Sequence, residues 1–185
     1  MKFFKALLGM ASIILLLAAT APAGVEPCAL IIRDQAAAIL GEPVKAPRSG
    51  KVAGMASGVK CDYYTAAPLA KRGGVGMVQL ILYTKDTLKG GLFSSPEDYF
   101  ERRLKAGQKA GGKVEDVAGL GGRAYWDVKS NVLHILAKGL YLQLRISGLK
   151  KISVKGGRDE LMQKISQHRK QLSINAAQKY LMPKL

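Results

Sequence analysis

The cleanest alternation in the chain runs over Leu140–Ser147. Leu140, Leu142, Leu144 and Ile146 fall on one face, and Tyr141, Gln143, Arg145 and Ser147 on the other. A period of two is that of a strand. "VGMVQLILYT" (75–84) alternates in the same way, with Val78, Leu80 and Leu82 opposite Met77, Gln79, Ile81 and Tyr83. Both of its faces are fairly apolar, so it is predicted to be a central strand covered at least partly on both sides. Shorter strands are predicted at "VKCDYYT" (59–65), "KVEDV" (113–117), "RAYWDVK" (123–129) and "VLHILAK" (132–138). Ser130-Asn131 and Lys138-Gly139 suit short turns between them. Several strands joined this closely predict an antiparallel meander.

Three stretches read as helical. Residues 30–40 are alanine-rich and carry Leu30, Ile31, Ile39 and Leu40, with Asp34 near the start, Gly41 as a stop and Pro43 beyond. "SSPEDYFERRLKAGQKAGG" (94–112) offers Ser95 as a cap, Pro96 at the first helical position, and Glu97 and Asp98 at the positive end of the dipole. Phe100 and Leu104 share one face, and Gly107 or Gly111-Gly112 ends it. The third helix spans about 158–182, with Leu161, Ile165, His168, Leu172 and Ala176 on one stripe and Pro183 at its end. "KAPRSGKVAGMASG" (45–58) and "AAPLAKRGG" (66–74) have little periodicity and read as loops. With no internal repeat and no low-complexity linker, residues 24–185 are expected to form a single α+β domain: a meander sheet packed with about three helices.

The first residues change the picture. "MKFFKALLGMASIILLLAATAPAG" has a charged start at Lys2 and Lys5, an apolar stretch and the small-x-small site Ala21-Pro22-Ala23. This is the pattern of a secretory signal peptide, residues 1–23, cleaved near Ala23. The apolar run is on the short side for an uncleaved anchor. A lipoprotein signal needs a cysteine at the cleavage point, and Cys28 lies too far beyond it. The expected destination is the periplasm or the extracellular space.

The full chain carries a formal net charge of +16, and loss of Lys2 and Lys5 leaves +14. Such a surface is drawn to anionic lipid, polysaccharide or nucleic acid. Export argues against nucleic acid as a partner, and the plainer reading is a solvated basic surface. The two cysteines, Cys28 and Cys61, most simply form one disulfide in an oxidising compartment. A reactive free thiol is the rival, and it needs a nearby base and a reducing compartment.

Pro27-Cys28-Ala29-Leu30-Ile31, a helix ending Ile39-Leu40-Gly41-Glu42-Pro43-Val44, and a second cysteine in a strand form one ordered set. "VAGLGGRAYW" (117–126), followed by a strand pair, extends it. Together these resemble a family of small exported actinobacterial proteins, mostly lipoproteins, of unknown function. Its members open with a Pro-Cys-x-Leu-Leu segment and carry a Val-x-Gly-Leu-Gly-x-x-Ala stretch. The resemblance spans about residues 27–147. It implies an antiparallel sheet with packed helices, similar to the PsbP-like fold and to the extracellular sensor domains of some mycobacterial kinases. It also implies a Cys28–Cys61 bridge, and carries over no catalytic residue. This chain differs in lacking a lipidation cysteine and in its long basic C-terminal helix.

Candidate chemistry is sparse. Gly119-x-Gly121-x-x-Ala124 matches a dinucleotide fingerprint by letter, but a strand follows it where the fingerprint needs a helix. Ser57-x-x-Lys60 and Ser147-x-x-Lys150 match the Ser-x-x-Lys pattern without its partner motifs. His134 sits in a strand. His168 sits on the last helix's apolar stripe and reads as a satisfied core or boundary histidine. With 2 histidines and 13 carboxylates, no metal set, cofactor site or acid/base pair stands out, although Asp127 could pair with a strand neighbour such as Arg145. Tyr83, Tyr125, Trp126, Tyr141, Gln143 and Arg145 alternate with core positions and would line any uncovered sheet face, suiting sugars, peptides or acidic groups. The alternative is that a helix covers them. Arg102, Arg103, Lys105, Lys109 and Lys113 form a basic run suited to anions, or simply a solvated face.

The expected function is a non-enzymatic binding module of the cell envelope, taking a partner protein or small ligand and no cofactor. An electrostatic binder of anionic envelope lipid or polysaccharide is the second expectation, and a hydrolase a remote third.

Overall fold

The computed structural model describes residues 24–52, 54–67, 76–109, 111–148 and 157–185. The expected signal peptide, residues 1–23, and most of the 66–74 loop lie outside them. Seven strands form one antiparallel sheet, ordered β1-β2-β3-β7-β6-β5-β4. They are β1 (Arg48–Val52), β2 (Gly58–Tyr64), β3 (Met77–Tyr83), β4 (Val114–Asp116), β5 (Arg123–Asp127), β6 (Val132–Ala137) and β7 (Leu140–Ser147). The chain meanders through β1–β3, crosses to the far edge, and meanders back through β4–β7 until β7 closes on β3. In that central pair Leu80 faces Leu144 and Tyr83 faces Tyr141.

Helices lie on both faces. One face buries Val78, Leu80, Leu82, Leu133, Ile135, Leu142, Leu144 and Ile146 against α1 (Pro27–Leu30), α2 (Arg33–Leu40) and the end of α5 (Arg158–Ala176). Each such aliphatic side chain contributes about 1.5–3 kcal/mol before chain entropy is subtracted. The other face buries Tyr83, Tyr125 and Tyr141 against α3 (Lys85–Leu88) and α4 (Pro96–Lys109). The Ser95 hydroxyl accepts from the Asp98 amide at 3.2 Å, the expected cap of α4.

Helices of four and eight residues do not hold themselves in water, and bonds from three residues, Cys61, Tyr63 and Lys184, fix α1 and the start of α2. Cys28 and Cys61 form a disulfide with Cα atoms 5.2 Å apart. The Tyr63 hydroxyl on β2 donates toward the Ile31 carbonyl at 2.5 Å. Lys184 Nζ donates to the Ala29 and Leu30 carbonyls at 2.9 and 2.8 Å. That ammonium satisfies carbonyls which a helix end leaves unpaired.

The structure departs from the sequence reading in several places. Residues 30–40 are not one helix, because the chain breaks at Ile31–Ile32 and drives Ile31 into the core. The expected 45–58 loop contains β1, an edge strand with mostly exposed residues. The β5–β6 turn spans Val128–Asn131, wider than two residues. The Asp127 carboxylate organises it by accepting from the Lys129 and Ser130 amides at 2.9 and 3.2 Å and from the Ser130 hydroxyl at 2.7 Å. Asp127 therefore does not pair with Arg145, and β6 runs between their strands. Helix α5 stops at Ala176, passes through a π-helical turn at Ala177–Leu181 and ends in a 3-10 turn at Met182–Lys184. Its buried residues are Ser173 and Ala176, and His168 is exposed, not a core or boundary histidine. Beyond the three expected helices, α1 and α3 add single turns. Gly119 and Gly121 both take positive φ, and the tight turn they make sets Leu120 into the core.

Replacing both cysteines by serine should lower stability by about 3–4 kcal/mol, the chain-entropy value for a loop of this size. Urea unfolding of the oxidised protein beside Cys28→Ser/Cys61→Ser measures it; equal midpoints would refute the clamp.

Candidate functional site: the α4 face of the sheet

Alternation sends Tyr141, Gln143 and Arg145 of β7 to one face, beside Tyr83, Ile81 and Gln79 of β3, His134 of β6 and Tyr125 of β5. This face divides into two parts. Over the first, α4 lays Tyr99 and Phe100 onto the strand tyrosines. Tyr83 and Tyr141 stack with centroids 5.2 Å apart, and Tyr99 meets both rings edge-on at 4.9 and 5.3 Å. Phe100 meets Tyr125 and Tyr141 edge-on at 5.2 and 5.6 Å. Edge-to-face pairs of this kind add stability beyond their buried area.

A polar chain is sealed inside. Gln143 Nε2 donates to the Tyr141 hydroxyl at 2.7 Å, and that hydroxyl lies 2.6 Å from His134 Nδ1. The hydroxyl has one proton and two lone pairs, so it holds both Gln143 and His134 whichever imidazole tautomer is present. His134 is 1% exposed and stacks on Tyr125 at 4.4 Å. Burial, reinforced by the positive charge of Arg103, pushes the imidazole pKa down to about 3. Burial also pushes the Tyr83, Tyr125 and Tyr141 phenols up. The Arg103 guanidinium on α4 lies close enough to the Tyr141, Tyr99 and Tyr125 oxygens that they outweigh its own desolvation and raise its pKa.

The second part is polar. One cross-strand row reads Arg48 opposite Asp62, Asp62 opposite Gln79, and Gln79 opposite Arg145. At about 4.8 Å per strand, the two arginine backbones stand roughly 14 Å apart. Asp62, 2% exposed, accepts from Gln79 Nε2 at 2.8 Å and pairs with Lys60 at 2.9 Å. The Asp62 carboxylate holds the Lys60 ammonium above its ordinary pKa. Arg48 lies over the Tyr64 ring at 5.6 Å. Arg145 is exposed and makes no ion pair among the described residues. Three cations against one carboxylate leave this part at +2.

The six residues expected to line an open face are not one site. Tyr83, Tyr125 and Tyr141 are covered by helices, Gln143 is half-buried and Arg145 is exposed. Trp126 is buried in the opposite core, because it follows Tyr125 directly in a strand and must point the other way. The basic run is likewise dispersed. Arg102 pairs with Asp98 at 2.9 Å, Lys113 pairs with Glu115 at 3.0 Å, and Arg103 roofs the phenols. Lys105 and Lys109 stay exposed. Sequence reasoning missed Arg48, Asp62 and Gln79. The signal for Asp62 and Gln79 was their place on the polar side of two alternating strands, whereas Arg48 sat in a stretch read as a loop. Among the described residues, no group of three or more metal-ligating side chains is assembled.

No protein-family model, no curated protein and no solved structure matches the chain. The resemblance drawn above rests on residue order alone.

His134 sets a pH dependence. Its folded pKa lies below the ordinary 6.5, so the unfolded chain takes up a proton that the folded one refuses. Stability is therefore full above pH 6.5 and falls as the pH drops toward 3, by up to ~1.4 kcal/mol per pH unit from this group. Urea midpoints from pH 7 to 4 should show a steeper fall for the native chain than for His134→Gln; parallel curves would contradict the assignment. Tyr141→Phe, which strands both His134 Nδ1 and Gln143, should cost about 1–3 kcal/mol at pH 7 in the same assay.

Proposed function

We propose that the protein is an exported, non-enzymatic binding module of the cell envelope, which takes an acidic group of a partner or ligand on the basic part of the α4 face. The observation that carries this reading is the row Arg48–Asp62–Gln79–Arg145. It places Arg145, exposed and without an ion pair among the described residues, on the middle strand, and Arg48, backed by the Tyr64 ring, on the edge strand. Each guanidinium suits a planar acidic group, which it grips through two parallel N–H donors. Export is supported by the pattern of residues 1–23 and by the Cys28–Cys61 bond. No helix of the described residues is long and apolar enough to cross a membrane.

A second reading, adhesion to anionic envelope lipid or polysaccharide, is favoured by the exposed Lys105 and Lys109 on α4 and by the overall charge. The two separate by where charge reversal matters. Crosslinking in the intact envelope should capture a partner with the native chain and with Lys105→Glu/Lys109→Glu, and lose it with Arg48→Glu/Arg145→Glu. Capture unaffected by the arginine pair would refute the first reading. Under the second, cosedimentation with anionic vesicles is weakened by the lysine pair and abolished by about 0.5 M salt, where screening shortens to a few ångströms. Equal binding to neutral vesicles would end it.

A further inference from the structure

Strand β1 leaves one side of the sheet open. It pairs with β2 along one side and has no strand on the other. Arg48, Ser49 and Lys51 are exposed, and so is the lead-in Lys45-Ala46-Pro47. An edge strand turns every second N–H and C=O outward, where another extended chain can pair with them. Proteins commonly close such an edge with a bulge, a proline or a covering element. Here the register runs unbroken from Arg48 opposite Asp62 to Val52 opposite Gly58, and no proline lies within the strand.

The side chains of this edge decide what it accepts. The stretch from Pro43 to Val59 holds Lys45, Arg48 and Lys51 and no acid. Neither Arg48 nor Lys51 makes an ion pair among the described residues. Asp62 stands opposite Arg48 on β2, but Lys60 and Gln79 already hold it. Two copies of β1 laid side by side would bring four cations together with no countercharge, so the edge disfavours a second copy of itself and favours an acidic strand. Gly50, at its centre, is not demanded by the fold. Its φ is not positive, the strand has no bulge there, and a Cβ would meet only the Lys60 side chain, at an ordinary 3.6 Å. A glycine inside a strand costs stability and commonly marks a place where another backbone comes close.

We propose that β1 takes an extended acidic segment of a partner protein as an added strand, with two acidic side chains three residues apart. Main-chain hydrogen bonds along the edge supply the affinity, and Arg48 and Lys51 select the partner. The spacing follows from alternation. Arg48 and Lys51 are three positions apart, so they stand on opposite faces and about 10 Å apart along the strand. Arg48 shares its face with Asp62, and Lys51 shares the other with Cys61. Residues opposite them on an added strand keep that separation, whereas acids two or four apart meet only one of the two cations. The proposal rests on the reading of the Arg48–Arg145 row for Arg48 alone; Lys51 and the open edge are independent of it.

The probe is the end-labelled peptide acetyl-Thr-Val-Glu-Thr-Val-Glu-Val-Thr-amide, titrated by fluorescence anisotropy with the intact disulfide-bonded protein. It should bind saturably, and the same composition with its acids two apart should bind about fivefold more weakly. N-methylating alternate residues blocks one edge of the peptide; of the two possible phases, at least one should weaken binding by about tenfold or more. Lys51→Glu should weaken it by about fivefold or more, while Lys138→Glu, the same charge change on the exposed β6–β7 turn, should stay within about twofold of the native chain. Amide hydrogen exchange within Arg48–Val52 should slow when the peptide is added. No saturable binding, full binding by both N-methylated peptides, no slowing in β1, or equal loss with Lys51→Glu and Lys138→Glu would each overturn the proposal. So would self-association of the protein that the peptide disperses, since that assigns the edge to a second copy. The row reading fails separately: peptide binding together with envelope capture insensitive to Arg48→Glu/Arg145→Glu upholds the edge and removes the row.

Discussion

Strands β3 and β7 carry apolar or aromatic side chains on both of their faces, so neither side of the sheet centre can be left to water. That constraint accounts for the layering. A two-sided central pair needs neighbours for its backbone groups and helices for its side chains. The chain supplies the neighbours by running β2 beside β3 and β6 beside β7, and the helices from three separate segments. Cover on the aliphatic face is the harder problem, because α1 and α2 are too short to persist alone. The Cys28–Cys61 bond, the Tyr63 hydroxyl and the Lys184 ammonium all act on this one weakness. Lys184 also ties the last turn of the chain to the first described helix.

The same constraint decides where a polar surface is left. Seven strands at about 4.8 Å spacing make a sheet roughly 29 Å across. Helix α4, of 14 residues, is about 21 Å long and 10–12 Å wide, so it cannot cover such a face. It covers the part bearing Tyr83, Tyr125, Tyr141 and His134. The strands answer by turning polar beyond it: Gln79 lies beyond Ile81 on β3, and Arg145 beyond Gln143 on β7. Asp62 shows that this polar part is built, not leftover. A carboxylate 2% exposed is tolerated only with bonded partners, and it has Lys60 and Gln79.

Legibility followed from how local each feature is. The span of β7 was readable to the residue, because its period of two carries both its extent and its two faces. The cap and first turn of α4 were readable from Ser95, Pro96, Glu97 and Asp98. Strand β1 was not, since an exposed edge strand needs no apolar alternation and Arg48–Val52 has almost none. The stripe through His168 lies wholly within α5, but only the C-terminal part of that helix is buried, so a periodicity continued along its whole length put His168 inside when it faces water. The row Arg48–Asp62–Gln79–Arg145 was beyond reach for a different reason. Its members come from four strands, one joined through a long crossover, and no short-range pattern records the register that aligns them. Trp126 is the contrary case: its neighbour Tyr125 already fixed its direction by alternation.

The protonation states of the sealed cluster bear on what kind of protein this is. A histidine within reach of a tyrosine invites a catalytic reading, for general bases are usually histidines poised near neutral pH. Here burial and the positive charge of Arg103 hold His134 neutral down to about pH 3, and its Nδ1 is already engaged by Tyr141. The phenols around it are pushed up by burial, so they too keep their protons. Such a cluster neither gives nor takes protons near neutral pH. What it does is orient: each hydrogen bond fixes a ring, and each ring fixes the seat of α4. A rigid seat holds β7, and β7 in turn sets Arg145 at its place in the row. The aromatic half of the face is thus the footing of the basic half, whose charges no described helix covers.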